Sequence, residues 1–152
     1  MENVTLYPQW RQAVRDFVQS SFKPGDVVTH AWLEAAFGME PVDADAQLSA
    51  ASFQQRQFEW LRNVDALKQE LLTRYQILLV SVPGAGYRWV PPGEQTEVAQ
   101  DRFEKDAARI YRKTAVALKN VRLGELTDAE RQQNTDAVAR LAMLRGMHKS
   151  LE

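Results

Sequence analysis

No cysteine occurs anywhere in the 152 residues, which removes disulfides, thiolate metal sites and thiol nucleophiles together. Long apolar runs are missing too. Unbroken apolar stretches reach only four residues, as at Ile77–Val80, far below the ~20 that a membrane-spanning helix needs. There is no excess of one charge: 19 Lys and Arg stand against 20 Asp and Glu, a net −1. Any contact with nucleic acid must therefore rest on a local patch rather than a global positive field. Histidine is scarce, and His30 and His148 lie far apart in the chain. His, Asp and Glu nowhere cluster at metal-ligand spacing, and no nucleophile motif or phosphate loop is visible. The expectation is a protein that is not an enzyme and uses no cofactor or metal. Met1-Glu2-Asn3-Val4 shows neither a cationic leader nor an apolar segment, so a soluble cytoplasmic protein is expected.

What is present suits a globular protein: 45% of residues are apolar and 26% charged, enough of the first to bury a core. The aromatics divide the chain. Twelve of the fourteen precede residue 92, and only Phe103 and Tyr111 follow it. Pro91-Pro92-Gly93 marks the change, because this tripeptide interrupts regular structure. A domain over residues 1–92 and a helical segment over 93–152 are expected.

Periodicity supplies the elements. Trp10, Val14, Phe17 and Val18 make one stripe of a helix over Pro8–Ser21. A turn at Lys23-Pro24-Gly25-Asp26 leads into a short extended piece, Val27-Val28. Thr29 then caps a second helix with Trp32, Leu33, Ala36 and Phe37 inward and Gly38 as its stop. Met39 to Ala51 reads as a loop able to hold one helical turn. Its Asp43 and Asp45 lack the glycine and glutamate of a calcium loop. Ser52 and Gln55 form a capping box for a third helix, on which Phe53, Trp60, Val64, Leu67, Leu71 and Tyr75 share an arc. Ile77–Val82 and Tyr87–Val90 are β-type runs joined through Pro83-Gly84-Ala85-Gly86, a β-hairpin signature.

Beyond Gly93, Ala99, Phe103, Ala107, Ile110, Thr114, Ala117 and Val121 follow coiled-coil spacing. A turn at Leu123–Leu126 and a capping box at Thr127–Glu130 open a last helix, whose stripe is Ala137, Leu141, Leu144, His148 and Leu151. Two such helices make an αα-hairpin.

Gly25-Asp26-Val27-Val28-Thr29 leading into Trp32–Gly38 resembles the second helix of OmpR-type effector domains. The spacing of Val64, Leu67 and Leu71 is similar to the inward face of that family's recognition helix, and Val82–Trp89 to its C-terminal hairpin. The likeness covers roughly residues 23–90. It implies a mainly α fold with a small β-hairpin, a winged helix-turn-helix, followed here by a C-terminal αα-hairpin outside that family. It also implies binding to double-stranded DNA.

On that reading Gln55, Arg56, Arg62 and Gln69 reach the major groove, where Arg matches guanine and Gln matches adenine. Arg88, past the wing turn, meets phosphate or the minor groove. From Ala107 to Leu123 there are five basic residues and no acid. Lys105, Arg109, Arg112, Lys113 and Lys119 form a broad basic face suited to tracking phosphates. The C-terminal helices are expected to dimerise the protein, and a dimer reads two half-sites about one helical turn apart. The function expected is a small transcriptional regulator or a phage or mobile-element accessory factor. The alternative is a protein-interaction module, for example a phage factor binding a host protein, with the winged helix as scaffold. It draws on the net −2 of the eight basic and ten acidic residues up to position 92, and on Asp65 and Glu70 in the third helix.

Overall fold

The computed structural model of the protein describes residues 8–42 and 49–151 and divides into two compact units, one up to residue 96 and one from 97 onward. Among the described residues there are five α-helices and three strands, so the architecture is mainly α with a small β-sheet. The aspartates Asp43 and Asp45 lie outside the described residues.

The first unit opens with α1 (Gln9–Gln19), which buries Ala13, Val14 and Phe17. Strand β1 (Val27–Thr29) ends on the threonine that caps α2 (His30–Ala36). The Thr29 hydroxyl accepts a hydrogen bond from the Trp32 N–H at 3.1 Å, satisfying one of the helix's orphan donors. Gly38 follows with φ +67, the left-handed turn a helix stop requires.

Helix α3 (Ala50–Tyr75) spans 26 residues. The expected capping box at Ser52–Gln55 is replaced by a cap one turn earlier, where the Ser49 hydroxyl accepts from the Ser52 N–H at 3.1 Å. Ala50 and Ala51 are good helix formers, so the helix runs back to the nearest serine before them. At the other end Gln76 adopts the left-handed conformation, φ 56. The Ile77 N–H then donates to the Leu71 carbonyl at 2.9 Å, and the chain turns toward the sheet.

Strands β2 (Leu79–Val82) and β3 (Gly86–Trp89) form the hairpin, and β1 pairs antiparallel with β3, giving the order β1-β3-β2. Val28 lies opposite Tyr87, and Thr29 opposite Gly86. A Cβ on Gly86 would collide with the Val28 carbonyl oxygen. The glycine is thus required for β1 to approach as well as for the turn. Gly25 N–H to Trp89 O and Trp89 N–H to Asp26 O, both 2.8 Å, lock the preceding turn onto β3.

Val14, Phe17, Val28, Leu33, Phe37, Val64, Leu67, Leu71 and Leu79 form one core, each nearly inaccessible to water. Trp10, Trp32, Trp60 and Trp89 pack on its margin, half-buried. Val64, Leu67 and Leu71 are inward as expected. Phe53 is not: 52% of it is exposed, and Tyr75 is also exposed. The reason is length. At 1.5 Å per residue α3 is about 39 Å long, whereas its buried residues run only from Asn63 to Leu71. Val18 on α1, expected inward, is exposed for a different reason, its phase round the helix. It lies one step round from Phe17, and the core takes only Ala13, Val14 and Phe17.

Helix α4 (Pro92–Lys119), whose first residues belong to the first unit, and α5 (Asp128–Ser150) are joined through a single 3₁₀ turn at Leu123–Glu125. Pro92 occupies the first helical position, where its missing N–H costs nothing. The capping box on α5 is complete: the Thr127 hydroxyl accepts from the Glu130 N–H, and the Glu130 carboxylate from the Thr127 N–H. Asn134 Nδ2 donates to the Leu118 carbonyl at 3.0 Å, and the His148 ring stands 5.4 Å from that of Phe103. These contacts set the helices side by side and antiparallel.

The seam expected on α4 is shifted. From residue 107 onward the half-buried residues are Ala107, Tyr111, Thr114, Ala115, Leu118 and, just past the helix end, Val121, whereas Phe103 and Ile110 are each 62% exposed and Ala117 is exposed. The contact line is turned by about 50° from the expected one. A single partner helix covers only a narrow stripe of its neighbour. Here that stripe runs through Tyr111 and Leu118, the larger side chains.

Candidate nucleic-acid interface

Gln55, Arg62 and Gln69 follow one another at seven-residue steps on α3, so they form a line that drifts only about 20° per step. All three are exposed, and successive members are about 10 Å apart along the axis. Neither Arg62 nor Gln69 spends its side chain on a partner among the described residues, although the Gln69 carbonyl accepts from the Thr73 hydroxyl at 2.8 Å. An exposed helix bearing one arginine between two glutamines has the donors and acceptors that base edges require.

Arg56 stands elsewhere. It is about 100° round the helix from Gln55, half-buried, and lines a hollow of about 340 Å³ with His30, Glu34, Met39, Val42, Phe53, Gln57 and Trp60. The structure thus aligns three of the four α3 candidates and sets the fourth against a mainly apolar recess.

Two features beside the line went unread in the sequence. Phe58 and Leu61 lie off the apolar stripe and are largely exposed. Phe58 shares a shallow depression with Gln54, Gln55, Glu59 and Arg62. Their signal was their phase, since apolar residues outside the buried arc of an amphipathic helix have no core to join. The other is a ring cluster where α2, α3 and the hairpin meet. His30 lies 5.8 Å from Trp60 and 6.0 Å from Tyr87, and the Lys68 ammonium sits 5.4 Å above the Tyr87 ring. Burial and, after it, the nearby Asp65 carboxylate raise the Tyr87 hydroxyl above its ordinary pKa of 10.0.

The β2–β3 hairpin is short and carries no cation at its tip, which is Pro83-Gly84-Ala85. Arg88 is already engaged: its guanidinium meets the Glu94 carboxylate at 3.1 Å. A DNA phosphate would have to displace that partner. The pair is partly exposed, so displacement costs little.

On α4, Lys105, Arg109, Arg112, Lys113 and Lys119 are all exposed. They lie on the side away from the line facing α5, as helical phase requires. Arg109 approaches Asp106 only to 3.9 Å. The other four make no ion pair among the described residues. Lys119 differs from the rest in lying at the edge of a groove between α4 and α5.

No family model, curated protein or solved structure matches this chain. Among the described residues no group of three His, Cys, Asp or Glu could hold a metal ion, and no helix is long and apolar enough to cross a membrane.

Proposed function

We propose that the protein binds double-stranded DNA, with Gln55, Arg62 and Gln69 of α3 facing base edges and the basic side of α4 contacting phosphates independently. The helix-turn-helix closed by a hairpin, similar in its Gly25–Gly38 and Val82–Trp89 segments to OmpR-type effector domains, supports this reading. The observation that carries it is the exposed Gln55–Arg62–Gln69 line on a helix whose opposite face is core. Binding as a homodimer through α4 and α5 belongs to the same proposal, as does a role in transcriptional regulation or as an accessory factor of a mobile element.

A second reading has its own observation. Phe53, Phe58 and Leu61 are exposed on the amino-terminal half of α3, and Asp65 follows Arg62 within one turn. Apolar and acidic groups at that place suit a protein surface better than a phosphate-lined groove. On this reading the fold is the scaffold of a protein-interaction module.

Fluorescence anisotropy with random and selected duplexes separates the two. Under the first, binding is salt-sensitive, and Arg62→Ala costs about 1–3 kcal/mol at one base position while relaxing specificity there. Absence of duplex binding even at low salt sinks the first reading and leaves the second.

A further inference from the structure

Between Gln55 and Arg62, on the face of α3 turned away from the core, stands a side chain with no polar atom. Phe58 is 61% exposed. At 100° per residue it lies about 60° round the helix from Gln55 and about 40° from Arg62. The buried Val64, Leu67 and Leu71 lie about 120–180° from it, across the helix. Of the three exposed apolar side chains on this half of α3, Phe58 alone shares the Gln55–Arg62 face. Phe53 has the phase of Leu71 and stands past the end of the core, while Leu61 lies about 100° from Arg62. Phe58 also lines one shallow depression with Ala51, Gln54, Gln55, Glu59 and Arg62. No residue from Ala50 to Arg62 is buried. About 20 Å of helix is therefore open to a major groove about 12 Å wide.

We propose that Phe58 selects thymine, its ring packing on the C5 methyl group in the major groove while Gln55 and Arg62 bond to neighbouring bases. The inference rests on the proposed duplex binding and deepens it by naming a base. In the major groove every base pair presents hydrogen-bonding edges, and only thymine adds a methyl group. A phenyl ring pressed on the other edges leaves their donors and acceptors without partners, which is costly. Against a methyl group the same ring takes apolar surface out of water. Spacing fits as well. Along the axis Phe58 is about 4.5 Å from Gln55 and about 6 Å from Arg62. Base steps are 3.4 Å apart along each strand, so the thymine falls within about two steps of the bases that those side chains meet. Glu59 in the depression and Asp65 on the same face are acids, and a base edge has a donor for a carboxylate in the cytosine amino group. Both are thus compatible with a face that reads base edges, where the phosphates are not the partners.

Fluorescence anisotropy with the full chain tests this on a duplex selected for tight binding, with each thymine replaced in turn by deoxyuridine, which lacks only the methyl group. One replacement should weaken binding about fourfold, the worth of one methyl group taken out of water. Phe58→Ala should bind the parent duplex more weakly and no longer distinguish it from that replacement, because its Cβ is too short to reach the methyl group. Phe53→Ala, altered on the core side of the helix, should keep the fourfold difference. Far-UV circular dichroism checks that both variants fold. A chain indifferent to every replacement, or a selected duplex without thymine, overturns the inference and leaves duplex binding standing. A fourfold difference that persists in Phe58→Ala overturns it too, since another side chain then meets the methyl group. If no duplex binds even at low salt, the DNA reading falls and the role of Phe58 with it, and the exposed ring belongs to a protein surface.

Discussion

Replacing Arg109, Arg112 and Lys113 together by alanine tests the phosphate-contacting role of α4 through a quantity that folding alone does not move. If the five cations on this face each contact a phosphate, as proposed, α4 would contribute about −4.5 to the slope of log K against log salt, at about 0.9 per contact. Raising salt from 50 to 200 mM would then weaken this helix's contribution by about 500-fold. The triple variant keeps Lys105 and Lys119, lowers the slope by about 2.7, and so shrinks the salt effect by about 40-fold. The three side chains are exposed, and the one ion pair they lose is the long Arg109–Asp106 approach of 3.9 Å. Stability should therefore change little. The assay is anisotropy of a labelled random duplex over that salt range. Circular dichroism and sedimentation confirm that the variant keeps its fold and association state. Because phosphate contacts carry no sequence information, all duplexes should lose affinity alike. An unchanged slope refutes the argument and removes α4 from the interface. A loss confined to one sequence refutes it as well, since that would mark these residues as base readers.

Leu67→Ala should destabilise the protein by about 2–5 kcal/mol in urea unfolding, since Leu67 is wholly buried and a cavity remains. Phe53→Ala should cost about 1 kcal/mol, because roughly half of its ring is already in water; a cost equal to that of Leu67→Ala would contradict that exposure. The Tyr87 hydroxyl should ionise above pH 10.0, as followed by ultraviolet difference absorbance against Tyr87→Phe. A raised pKa in the folded state means that the fold holds this proton more tightly than the unfolded chain does. Its contribution to stability is therefore complete below pH 10 and declines as pH rises through the raised value. Ionisation at or below the ordinary value would show that burial and Asp65 do not act on this group.

Much of the first unit was legible because its signals are local and agree with one another. Thr29 caps α2, Gly38 stops it, and the glycine-rich turn makes the hairpin, all through chemistry within a few residues. The line of Gln55, Arg62 and Gln69 also follows from helical phase alone. Less legible were the quantities that depend on what stands opposite. Arg56 shares a helix with those three but lines a hollow together with Trp60 and His30, and the sequence does not say which elements flank α3. Arg88 read as a free wing cation until Glu94, six residues on and across a turn, proved to hold it. The need for Gly86 was visible as a turn requirement. That β1 passes too close for a Cβ was not.

By itself the sequence determined which segments are helix or strand and which residues are able to be core, although α3 begins at Ala50, before the serine expected to cap it. Side-chain periodicity, caps and turn residues act over one or two turns and carry that information wherever the segment sits. Only the tertiary structure decided how much of each apolar stripe is covered. Burial of Val64, Leu67 and Leu71 and exposure of Phe53 depend on where α1, α2 and the sheet end against α3, a matter of distance between elements rather than of phase within one. The same holds for α4, where Tyr111 and Leu118 face α5 while Phe103 and Ile110 remain in water. Several faces of that helix are apolar enough to pack, and the one that does is settled by the width and position of a single partner helix.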